Sequence, residues 1–321
     1  MSPLNGPVGL ISNPYSGHNR DQFQAIAQRI DACNDIHHVI THSPDDIDRA
    51  LRELATHNIS LLAINGGDGT ASAILGRMLE LDLFNPTPTI ALLPGGTANM
   101  NAGDIGIKGA LQKAVARFTA WCDGPRETTG KLQQRALIKL APDGQSAPHY
   151  TMFLGGGAVI QGSEYAHAEI HSRGLRDDFS LALGTLRTIW GVVRDDPAFN
   201  QHVSIEISMD GGEVARYDTL ILAISTLKRL AFGMNPFWSD EPGAIRITVM
   251  EQGCTRFGRT FFSIARGRPS RNAVPASGYR SHNADQIALT MQGKLNLDGE
   301  IIDVDGAVTI SATKALEFLV L

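Results

Sequence analysis

Residues 61–70 read Leu61-Leu62-Ala63-Ile64-Asn65-Gly66-Gly67-Asp68-Gly69-Thr70, an apolar run that passes directly into glycines. The run has the length of a buried strand, and residues 71–81 follow it with apolar side chains at helical spacing. The same design recurs in residues 89–99, which read Thr89-Ile90-Ala91-Leu92-Leu93-Pro94-Gly95-Gly96-Thr97-Ala98-Asn99. Glycine lets backbone N–H groups approach an anion, and a following helix adds the positive end of its dipole. The two stretches therefore predict a phosphate-binding edge of a sheet.

The first part of the chain alternates strand and helix patterns, which is typical of a parallel sheet with helical crossovers. We predict an α/β N-terminal domain over residues 1–127, built on a parallel nucleotide-binding sheet. The predicted strands are Val8–Ile11, His38–Thr41, Leu61–Ile64 and Ile90–Leu93, and the predicted helices are Asp21–Asp31, Asp45–Ala55, Ala71–Leu81 and Gly109–Ala120.

The pattern changes after Pro125, where segments of strand character are separated by turn dipeptides such as Asp298-Gly299. We predict a mostly-β, sandwich-like C-terminal domain over residues 128–321, with one helical stretch near residues 163–193. The sequence leaves open whether the last strand returns to the first domain. The predicted strands are Arg135–Leu140, His202–Met209, Leu220–Ser225, Ala244–Met250, Ile287–Leu297 and Val308–Ile310.

Composition places the chain among globular proteins, with 43% hydrophobic and 19% charged residues. The formal net charge of −5 argues against general affinity for nucleic acid. The cysteines are isolated in the sequence, which favours a reducing compartment over a disulfide framework. There is neither a signal-peptide pattern nor an apolar run long enough to span a bilayer. We expect a cytoplasmic location, with peripheral contact at the inner face of the membrane left open.

Four motifs occur in a fixed order: Asn13-Pro14-Tyr15-Ser16-Gly17, Gly66-Gly67-Asp68-Gly69-Thr70, Pro94-Gly95-Gly96-Thr97-Ala98-Asn99 and Asp298-Gly299-Glu300. With these motifs nearly the whole chain resembles the diacylglycerol kinase catalytic-domain superfamily, which includes bacterial lipid kinases, sphingosine kinases and ceramide kinases. NAD kinases share the Gly-Gly-Asp-Gly element more distantly. The resemblance implies ATP and Mg²⁺ bound at a cleft between the domains, with a lipid hydroxyl as the phosphoryl acceptor.

The resemblance also implies roles for individual residues. The general base of the family falls on Glu300, and Asp68 would organise the metal and the phosphates or share in proton handling. A turn carboxylate contributes little packing, so we expect Asp68→Ala to abolish phosphoryl transfer and leave the fold nearly intact. The implied nucleotide contacts are Asn13, Pro14, Ser16, Gly17, Thr41, Gly66, Gly67, Asp68, Gly69, Thr70, Ser72, Gly95, Gly96 and Thr97.

The chemistry of the residues also supports a phosphoryl-transfer enzyme. Neither strand turn is followed by Gly-Lys-Ser or Gly-Lys-Thr, so backbone amides and the hydroxyls of Thr70 and Thr97 would have to replace a Walker A loop. Phosphoryl transfer depends mainly on positioning and charge neutralisation, which such groups supply. A single glycine turn is equally well explained as a structural connection, but two in tandem favour the phosphate site.

Three positions depart from the family pattern. Met100 stands where the family usually has aspartate, and Val159 stands where the second domain usually opens with a carboxylate. An Asp-Asp-Gly turn that holds a structural metal in the family corresponds here to Asp240-Glu241-Pro242-Gly243. We take Asp240 and Glu241 as the candidate metal ligands. The missing carboxylates leave open a catalytically degenerate protein that only binds nucleotide or lipid.

Residues 255–280 carry six arginines, several phenylalanines and no acidic residue. An anionic membrane suits such a segment, and a solvated helix with a core-facing phenylalanine side explains it as well. Nucleic acid has no supporting motif elsewhere in the chain. A weaker candidate is a metal site at Glu164, His167 and His171, although an exposed polar helix face is the favoured explanation. Another is an acyl-chain cleft formed by residues 179–193 with Phe232, Met234, Phe237 and Trp238, for which ordinary core packing is slightly favoured.

These observations predict a phosphotransferase with an alcohol group as acceptor, namely an ATP-dependent lipid kinase acting on a diacylglycerol-like or sphingoid lipid. A kinase of a soluble alcohol, similar to NAD kinase, is the first alternative and would be active without detergent or vesicles. A degenerate binding protein is the second and would bind ATP without turnover. We expect no nucleic acid partner, and the oligomeric state is left open.

Overall fold

The computed structural model describes residues 4–126, 130–144, 147–163, 191 and 202–321. The chain divides into two compact units, the first formed by Met1–Arg135 with Ala315–Leu321 and the second by Ala136–Lys314. The strands are β1 (Val8–Ser12), β2 (Ile36–Ile40), β3 (Leu61–Gly66), β4 (Thr89–Pro94), β5 (Lys131–Arg135), β6 (Ile138–Pro142), β7 (His149–Thr151), β8 (Phe153–Gly157), β9 (Val203–Met209), β10 (Ala215–Ser225), β11 (Ile245–Glu251), β12 (Tyr279–Ala284), β13 (Gln286–Leu297), β14 (Glu300–Ala312) and β15 (Leu316–Val320). The helices are α1 (Asn19–Asp31), α2 (Asp46–Thr56), α3 (Asp68–Leu81), α4 (Met100–Ile105), α5 (Leu111–Cys122) and α6 (Phe257–Ala265).

A six-stranded sheet forms the centre of the first unit, in the order β2-β1-β3-β4-β15-β5. Its strands pair in parallel except at the edge, where β5 runs antiparallel to β15. The register aligns Ser12 of β1 with Asn65 of β3, and Gly66 of β3 with Pro94 of β4. The loops that follow β1, β3 and β4 therefore leave the sheet at neighbouring points of one edge.

The helices of the first unit bury one face each, as their apolar spacing predicts. In α2 the buried side chains recur at intervals of three and four residues, and α1 and α5 contribute to one core cluster with β1, β3 and β15. The predicted α/β domain with a parallel sheet is confirmed. The short helix α4 was not predicted; it begins directly after Asn99, whose backbone is left-handed with φ 48°. The buried residues of α2 are Ile47, Ala50, Leu51 and Leu54.

The second unit contains a nine-stranded sheet whose order is β12-β11-β10-β8-β13-β14-β6-β7. The ninth strand, β9, lies end to end with β8, because β10 and β13 pair with β9 through one half and with β8 through the other. Side chains of β6 and of β8 through β14 meet in one buried cluster. The alternation in β13, where Ile287, Leu289 and Met291 point inward, is the pattern of a strand with one buried face. The predicted mostly-β domain is confirmed.

Two sequence expectations need correction or fall outside the structure. The single strand predicted over Arg135–Leu140 is wrong, because β5 ends at Arg135 in the first sheet and β6 begins at Ile138 in the second. Between them Leu137 donates its N–H to the Thr313 hydroxyl, at 2.9 Å, so ladder pairing is interrupted where the chain changes sheets. Residues 158–163 are helical, and most of the helical stretch predicted near 163–193 lies outside the described residues, with Glu164, His167 and His171.

In the part of the chain that the structure describes, no helix is both long enough and apolar enough to cross a bilayer. Two of the side chains that the sequence suggested for an acyl-chain cleft differ in exposure: Phe237 is buried, whereas Phe232 is exposed.

Candidate functional site

The two glycine turns after β3 and β4 interlock. A Cβ built on Gly96 would lie closer to the Cα of Gly67 than real Cβ atoms approach, and one built on Gly67 would lie 3.3 Å from the Cα of Gly96. The turns thus touch backbone to backbone, which only residues without side chains allow. Gly67 is extended, with φ −84° and ψ 177°, and α3 begins at the next residue.

A third segment, the loop after β1, closes on the same turns. A Cβ on Gly17 would lie 2.5 Å from the Thr97 hydroxyl oxygen and 2.8 Å from the Thr97 nitrogen. The Gly67 N–H donates to the Ser16 hydroxyl at 3.2 Å. We call residues 13–17, 66–70 and 95–97 the glycine cradle. Its third link joins Asn13 Nδ2 to the Thr70 hydroxyl at 3.0 Å.

Two buried asparagines support the cradle from below. Asn19 donates through Nδ2 to the carbonyls of Asn13 and Asn65, at 2.8 and 3.2 Å. A Cβ on Gly95 would meet the Asn65 Oδ1 at 2.7 Å. Among the described residues neither Asn19 Oδ1 nor Asn65 Oδ1 has a hydrogen-bond partner. Buried acceptors of this kind are commonly satisfied by ordered water.

Asp68 lies at the first position of α3 and is buried, with 8% of its surface exposed. Its Oδ2 accepts the N–H of Met100 at 3.0 Å, and its Oδ1 accepts the N–H of Asn101 at 2.9 Å. The carboxylate therefore satisfies two of the N–H groups that helix α4 leaves unpaired at its start. The expectation that Asp68→Ala leaves the fold nearly intact did not foresee these contacts, in which both oxygens hold the backbone of a neighbouring element.

Asn99 completes the connection between α4 and the cradle. Its Oδ1 accepts the N–H of Gly96 at 2.8 Å, and its Nδ2 donates to the carbonyl of Gly96 at 2.7 Å. The remaining nucleotide contacts predicted outside the cradle are buried. Thr41, directly after β2, donates its hydroxyl to the Ser12 carbonyl at 3.3 Å, and Ser72 lies inside α3.

Glu300 stands at the start of β14, directly after a tight turn, and its side chain is exposed. The turn residues Asp298 and Gly299 both have positive φ, at 49° and 100°. The Asp298 carboxylate accepts the N–H groups of Met152 and Phe153, at 2.9 and 3.1 Å. The turn is therefore fixed to β8, and it presents Glu300 on rigid backbone.

The Glu241 carboxylate is engaged with protein groups. It accepts the backbone N–H of Asn283 at 3.0 Å and the Ser239 hydroxyl at 3.0 Å, and it lies 3.1 Å from His282 Nδ1. Burial alone would raise the pKa of Glu241, but these hydrogen bonds outweigh it and lower the pKa. Asp240 is exposed. Across the described ranges, no group of three or more His, Cys, Asp or Glu residues is placed to hold a metal ion.

Sequence reasoning missed the supporting asparagines. Asn65 carried a usable signal, since it is a polar residue that ends an apolar strand and directly precedes two glycines. Asn19 carried none, because polar residues are common near the start of a helix.

Residues 7–123 match the family model of the diacylglycerol kinase catalytic domain. Over 106 residues the chain is 32% identical to the probable lipid kinase YegS of Escherichia fergusonii, which is 33% of this chain and 35% of that protein. It is 33% identical over 106 residues to the probable lipid kinase YegS-like of an Enterobacter species, with the same coverage. The matched stretch thus spans about a third of the length of these relatives.

Solved structures extend the likeness to both units. A diacylglycerol kinase from Bacillus anthracis superposes with a TM-score of 0.63 and 17% identity, covering 98% of this chain and 96% of that one. A putative diacylglycerol kinase from the same organism gives 0.65 and 18%, with the same coverage. At such identity the likeness establishes the fold alone. The resemblance to the diacylglycerol kinase catalytic-domain superfamily that the motifs predicted is confirmed over residues 7–123.

Proposed function

We propose that this protein is an ATP-dependent lipid kinase that transfers the γ-phosphoryl group to a hydroxyl of a diacylglycerol-like or sphingoid lipid. The observation that carries the proposal is the glycine cradle, in which three loops from adjacent parallel strands meet. The match of residues 7–123 to the diacylglycerol kinase catalytic domain supports phosphoryl transfer as the reaction class.

The cradle suits a polyphosphate for a physical reason. Its glycines place no Cβ over the backbone, so an anion could approach the chain closely, and α3, a helix of 14 residues, begins at Asp68 within it. Helix dipole and amide groups together favour an anion at that position. We assign the phosphates to Gly66, Gly67, Gly69, Gly95 and Gly96, with hydroxyl contacts from the neighbouring threonines.

An aromatic pair beside the cradle favours a nucleotide over a bare polyphosphate. Tyr15 lies in the first cradle loop with 59% of its surface exposed, and its ring centroid is 5.8 Å from that of His42. The Tyr15 N–H is fixed by Asn13 Oδ1 at 2.9 Å. A nucleobase presents a face that stacks on such rings.

We assign Glu300 as the general base. In the transfer, the acceptor hydroxyl gives its proton to the Glu300 carboxylate, its oxygen bonds to the γ-phosphorus, and the bond from that phosphorus to the bridging oxygen breaks to release ADP. The exposed, unburied carboxylate on a fixed turn supports this role. We assign Asp68 a positioning role, since its contacts hold α4 beside the cradle.

Mg²⁺ belongs to the proposal as the ion that neutralises phosphate charge. The described residues contain no group of three or more His, Cys, Asp or Glu placed to hold it, and Mg²⁺ in such sites is commonly held by substrate phosphates and water with few protein carboxylates. We also propose a cytoplasmic enzyme that contacts an anionic membrane through residues 255–280, where its lipid acceptor would reside.

The test is phosphoryl transfer from Mg-ATP by the purified chain to diacylglycerol or sphingoid bases in mixed micelles, with a soluble alcohol such as NAD as a further acceptor. We expect lipid-dependent turnover, and we expect Glu300→Gln to lower kcat by about 10²–10⁴-fold with an unchanged Kd for ATP. Glu213→Gln, an exposed carboxylate in the same unit, is the matched control. ATP binding without turnover on any acceptor would instead establish a binding protein, and turnover on NAD alone would establish the soluble-substrate alternative.

A further inference from the structure

One segment of the second unit is basic, whereas the chain as a whole is acidic. Residues 252–284 contain no aspartate or glutamate, although the whole chain has a net charge of −5. Of the arginines in this segment, Arg280 is paired with Glu251 and lies over the Tyr217 ring at 4.7 Å. The others are exposed, and in the described part of the chain none of them forms an ion pair: Arg256, Arg259, Arg266, Arg268 and Arg271.

Helix α6 divides its phenylalanines between two faces. Phe257 and Phe261 pack against a buried cluster, as the alternative of a helix with a core-facing phenylalanine side requires. Phe262 points away from it and is 41% exposed, with the Arg266 guanidinium 6.0 Å from its ring. Arg259, Phe262 and Arg266 follow one another at intervals of three and four residues and so share the outer face of the helix.

A second segment brings another aromatic side chain to the end of this helix. The loop of residues 228–235 is joined to α6 by a hydrogen bond from Asn235 N to the Ala265 carbonyl, at 2.9 Å. Within the loop Phe232 is 56% exposed and has a φ of 56°. Left-handed backbone is costly for a bulky residue, so this conformation opposes the local preference of phenylalanine. Lys228 and Arg229, also exposed, add positive charge to the loop.

We propose that these two segments form a docking surface for an anionic phospholipid bilayer, with Phe232 and Phe262 inserted at the level of the headgroups. Exposed aromatic rings with cations around them fit the membrane interface, where apolar acyl chains lie beneath negatively charged headgroups. Arginines at this surface would contact lipid phosphates, and their positive charge attracts the segment to an anionic membrane. We name this the docking surface: Lys228, Arg229, Phe232, Arg259, Phe262, Arg266 and Arg268.

The inference extends the proposed function but does not need the kinase reaction, because adsorption to a vesicle requires neither nucleotide nor turnover. The experiment is cosedimentation of the full chain with vesicles of phosphatidylcholine, with and without 30% phosphatidylglycerol. We expect binding to the anionic vesicles only, and weaker binding in 0.5 M NaCl, because salt screens surface charges.

Variants separate the contribution of the aromatic rings to vesicle binding from that of the arginines. Phe262→Ala and Phe232→Gly should each weaken partitioning about tenfold, and glycine at position 232 accepts the positive φ, so that variant should keep or raise the unfolding temperature. Arg259→Gln and Arg266→Gln should each weaken it about fivefold. The matched control is Arg52→Gln, an exposed arginine on α2 of the first unit, which should leave partitioning unchanged.

Equal binding to neutral and anionic vesicles, or unchanged partitioning of the phenylalanine variants, would overturn the inference. Binding to a single-stranded oligonucleotide in place of vesicles would overturn it in favour of a nucleic acid partner. Loss of turnover with intact vesicle binding would contradict only the kinase proposal.

Discussion

Replacing Asp68 by alanine should destabilise the first unit, because its carboxylate accepts the N–H groups of Met100 and Asn101 at 3.0 and 2.9 Å. A hydrogen bond to a charged group contributes about 1.5–3 kcal/mol, and a buried donor left unpaired costs about 1–3 kcal/mol. Asn101 is 1% exposed, so water cannot replace its lost partner, whereas Met100 is half-buried and partly accessible. We expect Asp68→Ala to lower the free energy of unfolding by about 2–4 kcal/mol.

Two measurements test this expectation. Urea unfolding followed by fluorescence gives the change in stability, and hydrogen exchange detected by mass spectrometry reports on residues 99–106, which contain α4. Asp68→Asn retains one carbonyl oxygen as an acceptor, so it should lose about half as much stability as the alanine variant. Glu53→Ala is the matched control, because it removes the same charge from an exposed position on α2 and should change stability by less than about 0.5 kcal/mol.

One result would refute the reasoning. If Asp68→Ala unfolded at the same urea concentration as Glu53→Ala, with unchanged exchange in residues 99–106, the carboxylate would not be holding α4. Asp68 would then be available for the role that the family resemblance implies, in contact with metal or phosphate. A loss of kinase activity in Asp68→Ala cannot separate the two roles unless stability is measured on the same sample.

Two further predictions follow from local geometry. Gly96→Ala should weaken ATP binding by tenfold or more, because its Cβ would collide with the backbone of Gly67. At Gly103 nothing lies within 4 Å of an added Cβ, so Gly103→Ala should leave the Kd for ATP, measured by calorimetry, unchanged. Equal affinities of the two variants would contradict the interlocked turns. The pKa of Asp46 is lowered from 3.8 to about 2, first by the backbone hydrogen bond from His42, so its stabilising contribution is fully present above pH 3.8 and lost as the pH falls toward 2. An NMR titration of Asp46 with a midpoint at its ordinary value would disprove this.

The cradle could be predicted from the sequence because each of its three segments directly follows an apolar strand. Parallel strands end at one edge of a sheet, so the glycines after β3 and β4 and the loop after β1 had to meet there. That inference needed only the strand pattern and the glycines. The contact between Gly17 and Thr97 follows from the same adjacency, although its closeness does not.

The partners of the charged side chains could not be predicted, since each lies far along the chain. Glu241 contacts His282 and Asn283 of β12, and these contacts depend on how a loop packs on a strand 41 and 42 residues later. No periodicity in the sequence encodes such a pairing. The resemblance to an Asp-Asp-Gly turn indicated Glu241 as a metal ligand. In the structure its carboxylate is instead hydrogen-bonded to protein groups.

Asp68 and Asp298 show a structural role that their motifs do not reveal. Both precede a glycine, and each uses both carboxylate oxygens to hold two consecutive backbone N–H groups, of Met100 and Asn101 in one unit and of Met152 and Phe153 in the other. An aspartate that precedes a glycine can thus fix the backbone, at a helix start as well as in a turn. The groups that we propose to meet a ligand are its neighbours, namely the glycines of the cradle and Glu300. Of the two carboxylates implied as catalytic, only that of Glu300 is exposed, so the kinetic consequences of Glu300→Gln bear on chemistry and those of Asp68→Ala bear first on structure.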